Sequence, residues 1–155
     1  MRRLVRVLVL VPAVLAGCAK PDAAPPAADT TAAMMPAAPT VSLADFAGTW
    51  QVRGTNEAGD SIVGYMLNAS ADAAGWSITF PGRDPIPATV LAVAGDSVVT
   101  HAGPFESAVR PGVQVETHTI WRLLDGRAVG MTTARYATTG PDTVAMIRGE
   151  GTRVP

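Results

Sequence analysis

Hydrophobic and polar residues alternate through most of the chain after position 41, which is the spacing expected of strands with one buried face. The alternation is clearest over residues 113–123. There Val115 and Trp121 fall on one face, while Glu116 and Arg122 fall on the other. No part of this region shows a helical period of useful length, so the pattern predicts an all-β domain over residues 41–155.

Turn residues divide this region into eight short predicted strands. Their predicted ranges are 48–53, 62–69, 76–80, 89–94, 97–101, 113–123, 127–136 and 143–153. Gly95-Asp96 and Asp125-Gly126 are two-residue hairpin signals, and a longer connection is predicted over 103–112. Before the first strand, Ser42 is expected to cap a short helical turn within 41–46. Eight antiparallel strands in series favour an up-and-down barrel, because closure removes exposed strand edges, with a β-sandwich as the alternative.

The first forty residues differ from the rest. Two arginines, Arg2 and Arg3, precede a mostly apolar stretch that ends at Leu15, and small residues follow. A basic start, a short apolar stretch and small residues at its end are typical of an export signal. The apolar stretch is too short for a transmembrane helix, which needs ~20 residues.

The residues Leu15-Ala16-Gly17-Cys18 resemble the bacterial lipobox. The resemblance implies that residues 1–17 are a cleaved signal peptide and that Cys18 is lipidated, so that acyl chains anchor the protein to a membrane. In Gram-negative lipoproteins an aspartate after the cysteine favours the inner membrane. Here Ala19 follows instead, which implies, in a Gram-negative cell, an exported protein on the outer membrane, facing the periplasm.

Residues 18–40 are rich in alanine and proline and contain no aromatic residue. Such a segment buries too little apolar surface to offset the entropy lost on ordering, so we expect a disordered tether between lipid and domain. The chain has a single cysteine, which excludes an intramolecular disulfide. Its net charge of −1 comes without a basic run, so nucleic acid is not an expected partner.

Gly48-Thr49-Trp50, at the start of the first predicted strand, resembles the opening of lipocalin-like (calycin) barrels. The resemblance implies that Gly48 and Trp50 help to close one end of the barrel. It also implies an arginine near the end of the last strand, packed over the tryptophan. Arg148 and Arg153 match that position, and Arg148 is favoured because Gly149 would admit a bulky neighbour.

The sequence contains no catalytic signature. A Gly-x-Ser-x-Gly elbow and a phosphate-binding glycine loop are both absent, so no enzyme activity and no cofactor are predicted. His118 and Glu116 share one face of the sixth strand, and they would form a metal site if His101 joined them. Because Gln114 and Arg122 lie on that face too, it is interpreted as a solvated exterior, and no metal is predicted.

The aromatic residues of the strands favour a binding function. Trp76, Trp121, Met66 and Tyr136 are predicted to line a ligand cavity, although an eight-stranded barrel can also be filled by its own side chains. The expected function is a membrane-tethered lipoprotein that binds a small apolar or amphipathic ligand. The alternative is a structural lipoprotein with a filled core, whose loops, notably 103–112, contact an envelope protein.

Overall fold

The computed structural model of the protein describes residues 40–155. They form one short helix and eight strands. In chain order these are α1 (Leu43–Phe46), β1 (Gly48–Thr55), β2 (Ser61–Ala69), β3 (Ser77–Thr79), β4 (Ile86–Ala94), β5 (Ser97–Glu106), β6 (Gln114–Leu124), β7 (Arg127–Tyr136) and β8 (Val144–Arg153). The one helix in this range, four residues long, is too short to cross a bilayer.

The eight strands form a closed antiparallel barrel in which each strand pairs with its neighbours in the sequence. Pairing of β1 with β8 completes the ring and places Trp50 opposite Arg153. The predicted all-β, up-and-down barrel is therefore confirmed, and the sandwich alternative is wrong. Both hairpins follow the expected turns, at Gly95-Asp96 and Asp125-Gly126.

The long connection before β6 is shorter than predicted. β5 continues to Glu106, because a bulge between Ala102 and Phe105 lets it bend while its pairing with β6 goes on. Gly103 takes a φ of +124° in this bulge, and a Cβ there would lie 2.8 Å from the Val115 carbonyl oxygen. The loop is thus limited to residues 107–113.

The two ends of the barrel differ. At one end, called the closed end, β1 begins and β8 ends, and α1 packs across the opening. The backbone amide of Val41 donates to the carbonyl of Gly95 at 2.8 Å, which ties the segment before α1 to the β4–β5 hairpin. The opposite end, called the open end, carries the loops 56–60, 80–85, 107–113 and 137–143.

Helix α1 begins where the sequence predicts. The Asp45 carboxylate accepts hydrogen bonds from the Ser42 amide and hydroxyl, both at 2.8 Å, as in a capping box. These bonds stabilise the ionised carboxylate and hold the pKa of Asp45 below its ordinary value. Phe46, the last residue of the helix, is thereby directed into the barrel and is fully buried.

Candidate ligand cavity

The interior of the barrel contains a cavity in its open half. The cavity has a volume of about 60 Å³ and reaches the 107–113 loop, where Ala108 and Val109 line it. The aromatic residues in its wall are Tyr65, Phe80, Phe105, Trp121 and Tyr136. Ligand pockets of drug-sized molecules measure ~300–1,000 Å³. With the side chains as they stand, the interior therefore admits only a small molecule or the end of a longer one.

The wall of this cavity carries no charge. Among the residues that line it, none is Asp, Glu, Lys, Arg or His. Moving a charged group from water into such surroundings costs several kcal/mol or more unless a partner is provided. The buried portion of any ligand must therefore be neutral, and apolar atoms suit the wall best.

Four threonines contribute hydroxyl groups to the wall, in addition to those of Ser107, Tyr65 and Tyr136, and the threonine hydroxyls bond within the protein. The hydroxyls of Thr119 and Thr132 are 2.9 Å apart, on β6 and β7. The indole nitrogen of Trp121 donates to the Thr100 hydroxyl at 3.2 Å, and the Thr117 hydroxyl donates to the Ala102 carbonyl at 3.3 Å. These bonds satisfy the hydroxyls inside the wall, so the cavity gains no strong polar anchor from them.

Trp121 owes its place mainly to Gly130 on the neighbouring strand β7. A Cβ at Gly130 would lie 2.6 Å from the Trp121 ring, and one at Gly149 would lie 3.6 Å from it. The indole thus packs against the backbone of β7 and approaches that of β8. Gly149 is expected from the sequence to admit a bulky neighbour; the side chains nearest to its Cβ position are those of Val52, at 3.3 Å, and Trp121.

Three aromatic rings in contact form another part of the cavity wall: Tyr65 on β2, Phe80 directly after β3, and Phe105 on β5. The ring centres of Tyr65 and Phe80 are 5.5 Å apart, and those of Phe80 and Phe105 are 5.8 Å apart. These separations are typical of favourable aromatic pairs. Burial raises the pKa of Tyr65 well above its ordinary value, so the phenol stays neutral.

The 107–113 loop is held in a defined position over the open end. The Ser107 hydroxyl accepts hydrogen bonds from the amides of Val109 and Arg110, at 3.1 and 2.9 Å. The Arg110 guanidinium lies 4.1 Å from the centre of the Tyr136 ring and donates to the Asp142 carbonyl at 2.6 Å. Arg110 therefore links this loop to the 137–143 loop beside the cavity.

Of the four predicted ligand residues, two line the cavity in the structure and two do not. Trp121 and Tyr136 line the cavity. Met66 does not, because it lies opposite Gln51 on the outer face of β2, between the inward-facing Tyr65 and Leu67. The expectation for Met66 is wrong because both faces of β2 carry apolar residues, and the sequence alone does not show which face is buried.

Trp76 is buried at the closed end instead of lining the cavity. Its ring centre is 5.9 Å from that of Phe46. Its indole nitrogen donates to the carbonyls of Ser70 and Asp72, both at 3.0 Å, which holds the β2–β3 loop. These contacts give Trp76 a structural position.

Three aromatic wall residues, Tyr65, Phe80 and Phe105, are not among the four predicted ligand residues. Tyr65 is missed for the same reason that Met66 is wrongly included. Phe105 is missed because the predicted fifth strand stops at His101, before the bulge. The threonines of β6 are visible in the sequence, since Thr117 and Thr119 share the face of Trp121.

At the closed end, the arginine over Trp50 is Arg153 and not Arg148. The Arg153 guanidinium lies 4.2 Å from the centre of the Trp50 ring, and it donates to the carbonyls of Ala47 and Asp45. Arg148 lies opposite Thr55, near the other end of β1, and contacts Glu150 on the outer face. The expectation for Arg148 is therefore wrong, because the register of β1 with β8 carries it away from Trp50.

Gly48 and Trp50 do take part in closing the barrel. Gly48 has a φ of +130°, and a Cβ there would lie 2.8 Å from the Arg153 guanidinium, so a side chain would displace it. The indole nitrogen of Trp50 donates to the Phe46 carbonyl at 2.8 Å. Trp50 is 1% exposed and packs in the same core as Trp76.

The two histidines are neighbours on the outer wall. His101 and His118 lie opposite each other on β5 and β6, with ring centres 4.7 Å apart. Glu116 does not complete a three-residue site with them. In the part of the chain that the structure describes, no group of three or more His, Cys, Asp or Glu residues is arranged to hold a metal ion.

Comparison with known proteins finds no counterpart: no family model, no curated protein and no solved structure matches this chain. Cys18 and the residues around it lie outside the described residues.

Proposed function

We propose that this protein is a membrane-tethered envelope lipoprotein whose barrel binds a small apolar ligand, or the apolar end of an amphipathic one. The observation that carries the binding proposal is the uncharged cavity beside Trp121 and Tyr136. Each Å² of apolar surface removed from water stabilises a complex by ~25 cal/mol. An aromatic wall without charges favours such a ligand over an ionic one.

The charged residues in the loops around the open end favour a ligand whose polar part stays outside the cavity. Arg83 and Arg110 lie there, and each donates to a backbone carbonyl at 2.6 Å, Arg83 to Glu106 and Arg110 to Asp142. The carboxylates of Asp84, Glu106 and Asp142 belong to the same end. The rim thus carries charges of both signs, and the cavity wall carries none. This arrangement suits a ligand that places a neutral hydroxyl or ester group at the mouth of the cavity.

The attachment to a membrane rests on the sequence Leu15-Ala16-Gly17-Cys18. Lipidation at Cys18 would hold the barrel near a bilayer, where apolar and amphipathic molecules are concentrated. Residues 18–40 would act as the tether. Under this proposal the protein is exported and faces the periplasm from the outer membrane.

Calorimetric titration of the purified protein with hexanol, octanol and decanol tests the binding proposal. We expect 1:1 binding, because the cavity accepts one chain end and leaves the hydroxyl at the mouth. Ala134→Leu adds bulk to the cavity wall and should weaken binding at least ~10-fold, since the site becomes filled. Leu91→Ala, on the exposed outer surface, is the matched control and should leave binding unchanged.

Two outcomes contradict the binding proposal. One is the absence of binding by any of the alcohols to the folded protein. The other is equal binding by Ala134→Leu and by the unaltered protein, which would place the alcohol elsewhere.

Incorporation of an alkyne-labelled fatty acid in bacterial cells tests the lipoprotein proposal separately. We expect label on the unaltered chain and none on Cys18→Ser, because the thiol is the acceptor. Label that persists on Cys18→Ser would contradict lipidation at this residue.

A structural lipoprotein that contacts an envelope protein is the second candidate. The observation that favours it is an apolar pair on the outer wall: Ile120 and Met131 lie opposite each other on β6 and β7 and are 44% and 45% exposed. Photo-crosslinking from position 120 in intact cells would give one discrete heavier product under this candidate. Under the ligand-binding proposal it gives none.

A further inference from the structure

The outer wall of the barrel brings its two histidines together. His101 and His118 are 17 positions apart in the sequence, but the register of β5 and β6 places them directly opposite each other. Their ring centres are 4.7 Å apart, and the planes are inclined at 47°. His118 is exposed and His101 is half-buried, so the pair is open to solvent.

The spacing of the rings fits a shared metal ion. Metal–nitrogen bonds to histidine are ~2.0–2.1 Å long, and a ring nitrogen lies about 1.1 Å from its ring centre. Two imidazoles bound to one ion at angles of about 90–110° therefore have ring centres ~4.4–5.1 Å apart. The observed 4.7 Å lies within this range.

The neighbours of the pair leave room for the remaining positions of the metal. Thr89 lies opposite His101 on β4, and Thr133 lies opposite His118 on β7. Both are short and uncharged. Glu116 is two residues from His118 on the same face but lies opposite Arg135, and it forms no three-residue site with the histidines. Water is therefore left to supply the other ligands.

We propose that His101 and His118 together bind one divalent transition-metal ion on the outer wall, with Cu²⁺ bound most tightly. Imidazole nitrogen is a ligand that suits copper, nickel and zinc, and Cu²⁺ has the highest affinity among them for a given nitrogen site. The strands hold the two side chains on a rigid wall, so that binding by the first nitrogen brings the ion to the second. The site is independent of the cavity, since neither histidine lines it.

Titration of the purified, metal-free protein with Cu²⁺ at pH 7.5, followed by calorimetry and electron paramagnetic resonance, tests this site. We expect one strong site per chain with nitrogen coordination. His101→Ala and His118→Ala should each weaken it ~10–100-fold, because one imidazole alone loses the benefit of chelation. Circular dichroism shows whether each variant keeps the fold, which an exposed position should preserve.

Glu116→Gln is the matched control, because it removes the carboxylate on the same face of β6 and keeps both histidines. Its affinity for Cu²⁺ should equal that of the unaltered protein. The proposal is overturned if either histidine variant keeps full affinity, since binding would then need only one of the pair. It is also overturned if Glu116→Gln weakens binding as much as a histidine variant does.

Discussion

At the closed end of the barrel aromatic rings fill the interior, whereas at the open end they surround a cavity of about 60 Å³. The same strands build both ends. At the closed end Trp50 and Trp76 each donate to backbone carbonyls, and Phe46 of α1 packs against Trp76. At the open end the wall also contains alanine and threonine residues, whose smaller side chains leave space between the rings.

Stability is expected to depend mainly on the closed end of the barrel, and ligand binding on the open end. Close packing at the closed end means that removing an atom there leaves an empty space, which is costly. At the open end, space already exists, so changes of volume alter what the cavity admits more than they alter folding. Substitutions at the two ends are expected to separate these effects.

The largest effect is expected from Trp50→Ala at the closed end. The change removes a fully buried indole and its hydrogen bond to Phe46, so the free energy of unfolding should fall by ~3–5 kcal/mol. Urea unfolding measures it. Leu91→Ala, an exposed position, serves as the control and should change the value by less than ~0.5 kcal/mol. A loss below ~1 kcal/mol for Trp50→Ala would contradict the assignment of stability to this end.

A second prediction concerns the wall beneath Trp121. Gly130→Ala places a Cβ 2.6 Å from the indole and should cost ~1–3 kcal/mol in unfolding free energy, because the ring must move. Gly64→Ala is the matched control, since its Cβ would meet nothing closer than 3.9 Å. Combining Gly130→Ala with Trp121→Leu tests whether contact with the indole is the cause. In the Trp121→Leu background, Gly130→Ala should lower the free energy of unfolding by less. An equal cost in both backgrounds would contradict the contact.

Separate substitution of Arg153 and Arg148 tests which arginine closes the end of the barrel. Arg153→Met removes the guanidinium over Trp50 and its bonds to two carbonyls, and should lower the free energy of unfolding by ~1–2 kcal/mol. Arg148→Met removes an exposed pair with Glu150 and should cost less than ~0.5 kcal/mol. Chemical denaturation of both variants decides between them. Equal losses, or a larger loss for Arg148→Met, would reject Arg153 as the closing residue.

The smallest effect concerns pH and the open end. Because the pKa of Tyr65 is raised on folding, the unfolded chain loses this proton first as pH rises. The contribution of Tyr65 to the free energy of unfolding is therefore complete below the pKa of tyrosine in the unfolded chain, about 10, and it declines above that pH. Between pH 9 and 11 the unaltered protein should lose about 1 kcal/mol more than Tyr65→Phe does. Parallel loss in both proteins over that interval would show that Tyr65 does not carry the dependence.

Local signals in the sequence are sufficient to predict the barrel, but they do not identify every residue of the cavity wall. The alternation in β6 and the hairpin dipeptides depend on neighbouring residues only, so they predict the strands and the turns. Which face of β2 is buried depends on its pairing with β1, and Met66 is misplaced for that reason. The choice between Arg148 and Arg153 likewise depends on the register of β1 with β8, which joins residues about a hundred positions apart.

The small volume of the cavity likewise depends on features that the local sequence pattern does not contain. It depends on how closely Gly130 lets Trp121 approach the wall, and on how the 107–113 loop covers the mouth. Both are properties of the assembled barrel.

A crystal structure of the protein under xenon pressure compares the two ends in one experiment, because xenon enters dry apolar cavities. We expect xenon in the open half, beside Trp121, Phe105 and Ala134, and none against Trp50 at the closed end. Xenon at the closed end, or none anywhere inside the barrel, would contradict an apolar cavity confined to the open end.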